Sequence, residues 1–164
     1  MPSQQRLLQT AQRYDVNVFS GLKQLSNFHK SPFFDKKTRK TFPTVEHKFQ
    51  AYKYENRKNF NDILKTFLEK EDPLDAKRLG RKGKLPDEYN EWVGGKRIRV
   101  MRDALREKFS QNPILKETLL RTGNVVLIES VPRGDKFWGV KGNVGANVLG
   151  QLLMELREDA KKHV

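Results

Sequence analysis

The sequence contains no cysteine. That excludes disulfides, thiolate nucleophiles and cysteine-based metal sites, and it suits a reducing compartment. No run approaches the roughly 18 consecutive apolar residues of a membrane span. The start, MPSQQRLLQTAQRY, lacks the apolar core of a secretory signal. A soluble intracellular protein, cytoplasmic or nuclear, with no membrane partner, is the expectation. Histidine is scarce: His29, His47 and His163 stand at spacings that fit no metal site, and no HExxH run occurs. His47 reads as a helix-turn or core histidine. Also missing are a GxSxG elbow, a Walker A loop and a GxGxxG fingerprint. No metal and no cofactor is implied.

What the chain has in excess is positive charge. Lys and Arg number 33 against 20 Asp and Glu, a net charge of +13 and a pI near 10.0. A polyanionic partner explains such an imbalance, because neutralised phosphates release counterions. A basic surface kept for solubility explains it too. With 164 residues the chain suits one domain, and ten Phe, four Tyr and two Trp supply bulky material for one core. No repeat or low-complexity linker marks a boundary. One domain over 1–164 is expected, with 1–14 as a peripheral segment.

The pattern alternates between short strands and amphipathic helices. DVNVF (15–19) alternates as a strand does and is closed by Ser20-Gly21; SPFFDKKTRKTFP (31–43) reads as two strands around a basic hairpin. Thr44 after Pro43 caps a helix expected over 45–56. Phe60, Ile63, Leu64, Phe67 and Leu68 form a helical stripe. Asp72-Pro73 starts a short helix that Gly80 is expected to stop. Ile98, Met101, Leu105 and Phe109 share one face of the next helix. Asn112-Pro113 opens another, ended by Gly123. NVVLIES (124–130) is the strongest strand, and Leu149, Leu152, Leu153 and Leu156 mark a C-terminal helix. The fold class that follows is α+β and mostly helical, with a few short strands.

Three constellations carry possible chemistry. In TVEHKFQAYKY (44–54), Glu46, Phe49, Gln50 and Lys53 fall at i, i+3, i+4 and i+7, one helix face about 10 Å long. Lys53 between two tyrosines is a candidate for a desolvated, nucleophilic amine. A helix-start acid and a snorkelling lysine meet the same spacing. In DKFWGVKGNVGANVLG (135–150), Gly139, Gly142 and Gly145 recur every third residue ahead of a helix. They could let backbone amides seat a pyrophosphate, with Trp138 stacking nearby, or form an ordinary loop. Arg99, Arg102 and Arg106 form either a phosphate-binding stripe or a solvated helix face.

Seven segments in order, LSNF (25–28), PTVEHKFQAYKY (43–54), AKRLGR (76–81), VMRDALREKF (100–109), LLRTG (119–123), DKFWG (135–139) and GANVLGQLLMELR (145–157), resemble the NADAR superfamily. The resemblance runs from about Phe19 onward. It implies metal-free cleavage of an N-glycosidic bond at a phosphorylated ribose. By matching motifs it places Glu46, Lys53 and Asp135 as catalytic. Asn27, Arg81, Trp92, Trp138, Asn147, Leu149 and Gly150 are placed as substrate-binding, and Gly139, Gly142 and Gly145 join them from the spacing of the glycine loop. Tyr52 stands where the family commonly has Gln, and Gly94-Gly95 fall where no glycine is expected. The family includes N-glycosidases of riboflavin biosynthesis intermediates and enzymes that remove ADP-ribose from guanine. The positive charge favours ADP-ribosylated guanine in nucleic acid or nucleotide as substrate, with ADP-ribose as product. The alternatives are the riboflavin intermediates, or a non-catalytic ADP-ribose or nucleic-acid binding module.

Overall fold

The computed structural model of the chain describes residues 13–15, 23–83, 88–131 and 135–164. Its strands are β1 (Arg13–Asp15), β2 (Phe33–Asp35), β3 (Lys40–Phe42) and β4 (Val126–Ile128). The helices are α1 (Val45–Ala51), α2 (Phe60–Leu68), α3 (Pro73–Lys82), α4 (Arg97–Gln111), α5 (Pro113–Arg121) and α6 (Val148–Lys161). This is the mostly helical α+β class expected. No helix among the described residues is long and apolar enough to cross a membrane. Two compact units divide the chain, Asn27–Asn112 and the described residues up to Ser26 together with Pro113–Val164.

In the unit Asn27–Asn112, β2 and β3 pair antiparallel with Phe33 opposite Phe42 and Asp35 opposite Lys40. Period-2 alternation turns Phe33 and Asp35 inward and Phe34 outward, so the hairpin stacks Phe33 on Phe42 at 6.1 Å. Pro43 then ends the strand and Thr44 caps α1, accepting the His47 N–H at 3.3 Å. Every residue of α1 is buried. A helix enclosed on all sides is normally apolar all round, yet α1 carries Glu46, His47, Lys48 and Gln50. Each buried polar side chain must be matched or it destabilises the fold.

The helix does not run to residue 56. It ends at Ala51 and tightens into a 3₁₀ turn over Tyr52–Tyr54. The cause is that both tyrosines are buried and tied to different partners, Tyr52 to the Asp35 carboxylate and Tyr54 to the Gly80 carbonyl. Nor does Gly80 stop α3, which continues to Lys82. Gly80 is where α3 meets α1: a Cβ there would lie 2.0 Å from Gln50 Oε1. Asp72 caps α3 as expected, accepting the Leu74 N–H at 2.8 Å with Pro73 at N1. Along α4, Met101, Leu105 and Phe109 are buried as the periodicity requires, while Ile98 is only half-buried. Gly94 and Gly95 fall in a π turn over Trp92–Lys96 that feeds α4 and buries Trp92 and Lys96.

In the other unit β1 and β4 pair parallel, Arg13 opposite Val126 and Asp15 opposite Ile128. The expected strand over 15–19 is therefore met at Asp15, preceded by Arg13 and Tyr14; residues 16–19 and Ser20-Gly21 lie outside the described residues. The strand expected over 124–130 is trimmed to three residues. Helix α5 buries Leu115 and Leu119 and is followed by Gly123, as expected. Helix α6 buries Leu149, Leu152 and Leu153 along one stripe, and Leu156 is half-buried. The buried Arg157 on α6 donates to Thr122 Oγ1 and to the Val125 carbonyl, both at 2.8 Å.

Candidate active site

The polar residues of α1 divide by face. His47 is structural: its Nε2 donates to the Lys70 carbonyl at 2.9 Å and its Nδ1 accepts from the Thr44 hydroxyl at 2.8 Å. Burial pushes its pKa down, so it stays neutral. Glu46 is different. Its backbone N–H donates to the Asn27 carbonyl at 3.1 Å, and Gln50 Nε2 donates to its Oε1 at 2.7 Å. Burial raises the Glu46 pKa, against the opposing pull of Gln50, Lys77, Lys53 and Arg81.

Lys53 lies two residues beyond Ala51, in the 3₁₀ segment. Burial lowers its pKa; Glu46 opposes that shift, and Arg81 and Lys77 add to it. Glu46 and Lys53 act on one another electrostatically, so the two groups lie near one another. Lys53 Nζ stands 5.8 Å from the centre of the Phe49 ring, and Phe49 packs on Trp92 at 5.1 Å. Trp92 is nearly buried and reaches Lys53 through Phe49. Asn27 donates to Met101 Sδ at 3.4 Å, while its buried Oδ1 has no hydrogen-bond partner among the described residues. An orphaned acceptor beside Glu46 is a place for a ligand N–H or O–H.

A carboxyl whose pKa is raised and an amine whose pKa is lowered are both shifted toward the forms that do complementary work. The first can give a proton to a leaving group, and the second can attack an electrophilic carbon. Exposed Arg81 and half-buried Lys77, at i+4 and i on α3, add positive charge to the same site. Lys77 was not among the expected site residues. The signal for Lys77 was available in AKRLGR, where it shares a helix face with Arg81.

The remaining expected site residues belong to the other unit. Asp135 is exposed; its Oδ1 accepts the Phe137 N–H at 2.8 Å and its carbonyl accepts the Gly139 N–H at 3.1 Å. Trp138 is half-buried and edge-on to Phe137 at 4.9 Å. Four backbone donors leading into α6, where an anion seat is expected, are turned back on the chain. Ala146, Asn147, Val148 and Leu149 donate their N–H groups to the carbonyls of Lys136, Gly139, Phe137 and Trp138, at 2.6, 3.3, 3.1 and 3.1 Å. Donors spent on the chain itself are not available to a phosphate. Asn147 is equally committed: in left-handed conformation, it accepts the Glu129 N–H and donates to the Leu127 carbonyl. Gly139 and Gly150 let the loop and α6 close on Glu129 and Leu127, where a Cβ would meet carbonyl oxygens at 2.3 and 2.2 Å, and Leu149 is core.

Two of these glycines separate conformation from packing. Gly145 has φ of 149° and a Cβ there would lie 2.1 Å from the Gly139 carbonyl oxygen; Gly142 has φ of 61° with open space around it. Gly142→Ala is expected to cost about 1 kcal/mol of stability, the left-handed term alone. Gly145→Ala is expected to cost at least about 2 kcal/mol more, from strain and overpacking together. Chemical denaturation of both variants checks the difference; equal midpoints would remove the close approach at Gly145 from the account.

Fold and site together define a class, a mostly helical α+β protein with a buried carboxyl on α1 and a half-buried lysine in the 3₁₀ turn that follows it. Residues 18–161 match the NADAR domain family, a match that runs through both compact units. The chain belongs to that family. It is similar to N-glycosidase YbiA of Shigella boydii, 39% identical over 158 residues, which are 94% of this chain and 93% of that protein. A riboflavin biosynthesis protein of Vibrio vulnificus is 37% identical over 127 residues, 74% of this chain and 32% of that protein. The NMR structure of Escherichia coli YbiA superposes with a TM-score of 0.73 at 33% identity, covering 93% of this chain and 87% of that one.

Proposed function

We propose that the chain is an N-glycosidase that breaks the bond between a base and C1′ of a phosphorylated ribose. The observation that carries this reading is the opposed displacement of Glu46 and Lys53, one held toward its acid form and the other toward its free amine. Loss of the base leaves positive charge on C1′ and the ring oxygen, and the base departs more readily as it gains a proton. Protonated Glu46 supplies that proton. The Lys53 amine adds to the C1′ cation in place of the base, and the ring opens as the C1′–O4′ bond breaks and O4′ takes the proton from the nitrogen, leaving a Schiff base. Water then adds to C1′, releasing the sugar and restoring the amine. Lys77 and Arg81 suit the phosphates, and Asn27 Oδ1 suits a donor of the substrate. Asp135 for ribose hydroxyls and Trp138 for stacking complete the proposal.

Within this class we favour ADP-ribosylated guanine, in nucleic acid or nucleotide, with ADP-ribose as product. The net charge of +13 supports a polyanionic substrate. A second reading, cleavage of phosphorylated riboflavin intermediates, is supported by relatives with riboflavin biosynthesis in their names. One assay separates them. The protein is incubated with an ADP-ribosylated guanine oligonucleotide and, in parallel, with the aminopyrimidine riboflavin intermediate. Faster release from the oligonucleotide is expected, with kcat/KM falling steeply between about 50 and about 200 mM salt. Turnover of the aminopyrimidine alone would install the second reading, and turnover of neither would leave a binding module.

A further inference from the structure

We infer that the cavity between the β2–β3 hairpin and α4 is a second anion site, one that takes the phosphate of a nucleotide or nucleic acid. It does not rest on the N-glycosidase reading. Lys48 lies two residues from Glu46, roughly 200° around α1, and so opens on the opposite side of that helix. The cavity holds about 380 Å³, the size of a small-ligand site, and Tyr52 and Val100 contribute to its wall.

Charge bookkeeping around this cavity gives a neutral floor and a positive rim. Buried Lys48 places Nζ 3.2 Å from Asp35 Oδ1, 2.6 Å from Glu107 Oε2 and 4.9 Å from the centre of the Tyr52 ring. Asp35 also accepts from the Tyr52 and Thr38 hydroxyls, each at 2.5 Å. Burial alone would raise the Asp35 pKa, but these hydrogen bonds and Lys48 outweigh it and hold it at about 2. Glu55 is shared by Lys37 and Lys96, the latter at 3.5 Å. Three lysines therefore meet three carboxylates. The other charged lining residues are Lys36, Arg99 and Arg106 against Asp103 alone, an excess of two positive charges.

Arg99 and Arg106 are the groups free to use that excess. Both are exposed and neither side chain has a hydrogen bond or ion pair among the described residues. They stand seven residues apart, two turns or about 10 Å along α4. Each guanidinium is a planar fork that matches phosphate oxygens and keeps its charge at any working pH. Arg102 does not line the cavity. The three-arginine stripe of the sequence thus resolves into two arginines aimed into a concavity and one that is not.

The test is calorimetric titration of the full chain with inorganic pyrophosphate and, separately, with a single-stranded oligonucleotide. Arg99→Ser/Arg106→Ser is expected to weaken pyrophosphate binding at this site at least about 10-fold, while removing two charges elsewhere, Lys65→Ser/Arg121→Ser, leaves it unchanged. Asp103→Asn removes the one repelling carboxylate of the rim and is expected to tighten binding several-fold. A parallel loss of oligonucleotide affinity in the arginine variant assigns the site to a polymer backbone; retained oligonucleotide affinity assigns it to a small phosphorylated ligand. Pyrophosphate binding with wild-type affinity and stoichiometry in the arginine variant, or a loss matched by the control variant, would overturn the site.

Discussion

Lys53→Arg is expected to reduce turnover by at least about 10³-fold while leaving the fold intact. Arginine keeps the positive charge beside Glu46 and the long apolar stem over Phe49, but its guanidinium does not give up a proton and cannot attack carbon. Borohydride added during turnover is expected to trap a wild-type adduct at the mass of protein plus sugar product, less water, plus two hydrogens. The arginine variant yields no such adduct. Near-normal turnover in Lys53→Arg would reduce Lys53 to an electrostatic role and remove the Schiff base, without removing the site.

Glu46→Gln is the second large effect, with turnover lower by about 10²-fold or more if the carboxyl transfers a proton. Its influence on stability runs the other way. Burial raises the Glu46 pKa above its usual 4.5 in the folded chain, so the unfolded chain releases this proton at lower pH than the folded chain does. Below pH about 4.5 both states are protonated and the glutamine variant gains nothing. As pH rises through the folded-state value the wild type bears the full cost of the buried charge. The variant is therefore expected to melt above wild type at neutral pH and level with it in acid. The wild-type rate is expected to show a bell with both limbs between pH 4.5 and 10.5, the ordinary values of the two groups, and those limbs belong to the pair. A variant less stable than wild type at neutral pH would mean the carboxylate is structural.

Much of the helical framework was legible because helix signals are local. Thr44, Asp72-Pro73 and the Met101, Leu105, Phe109 stripe needed no tertiary knowledge. Helix ends were misread where a long-range contact decided them. Gly80 looked like a stop and is a contact point with Gln50; Tyr52 and Tyr54 looked helical and are drawn apart by Asp35 and Gly80. The glycine loop was ambiguous for a related reason. Its spacing permits close backbone approach, and the approach is to the chain's own carbonyls at Glu129 and Gly139, which no local pattern records. Glu46 and Lys53 were legible as a face, but not their shifted pKa values, since those come from the tertiary burial of each side chain. Lys48 was invisible as a buried residue because its partners, Asp35 and Glu107, come from a hairpin and a helix far apart in sequence.

The most direct measurement is a double-mutant cycle on kcat/KM with a phosphoribosyl substrate, using Glu46→Gln, Lys53→Arg and the double variant, each checked for a native melt. Two parts of one chemical unit fail together, so the double variant is expected to be no slower than the worse single variant. A double variant slowed by the product of the two single effects would show that Glu46 and Lys53 act independently, and would contradict the shared site.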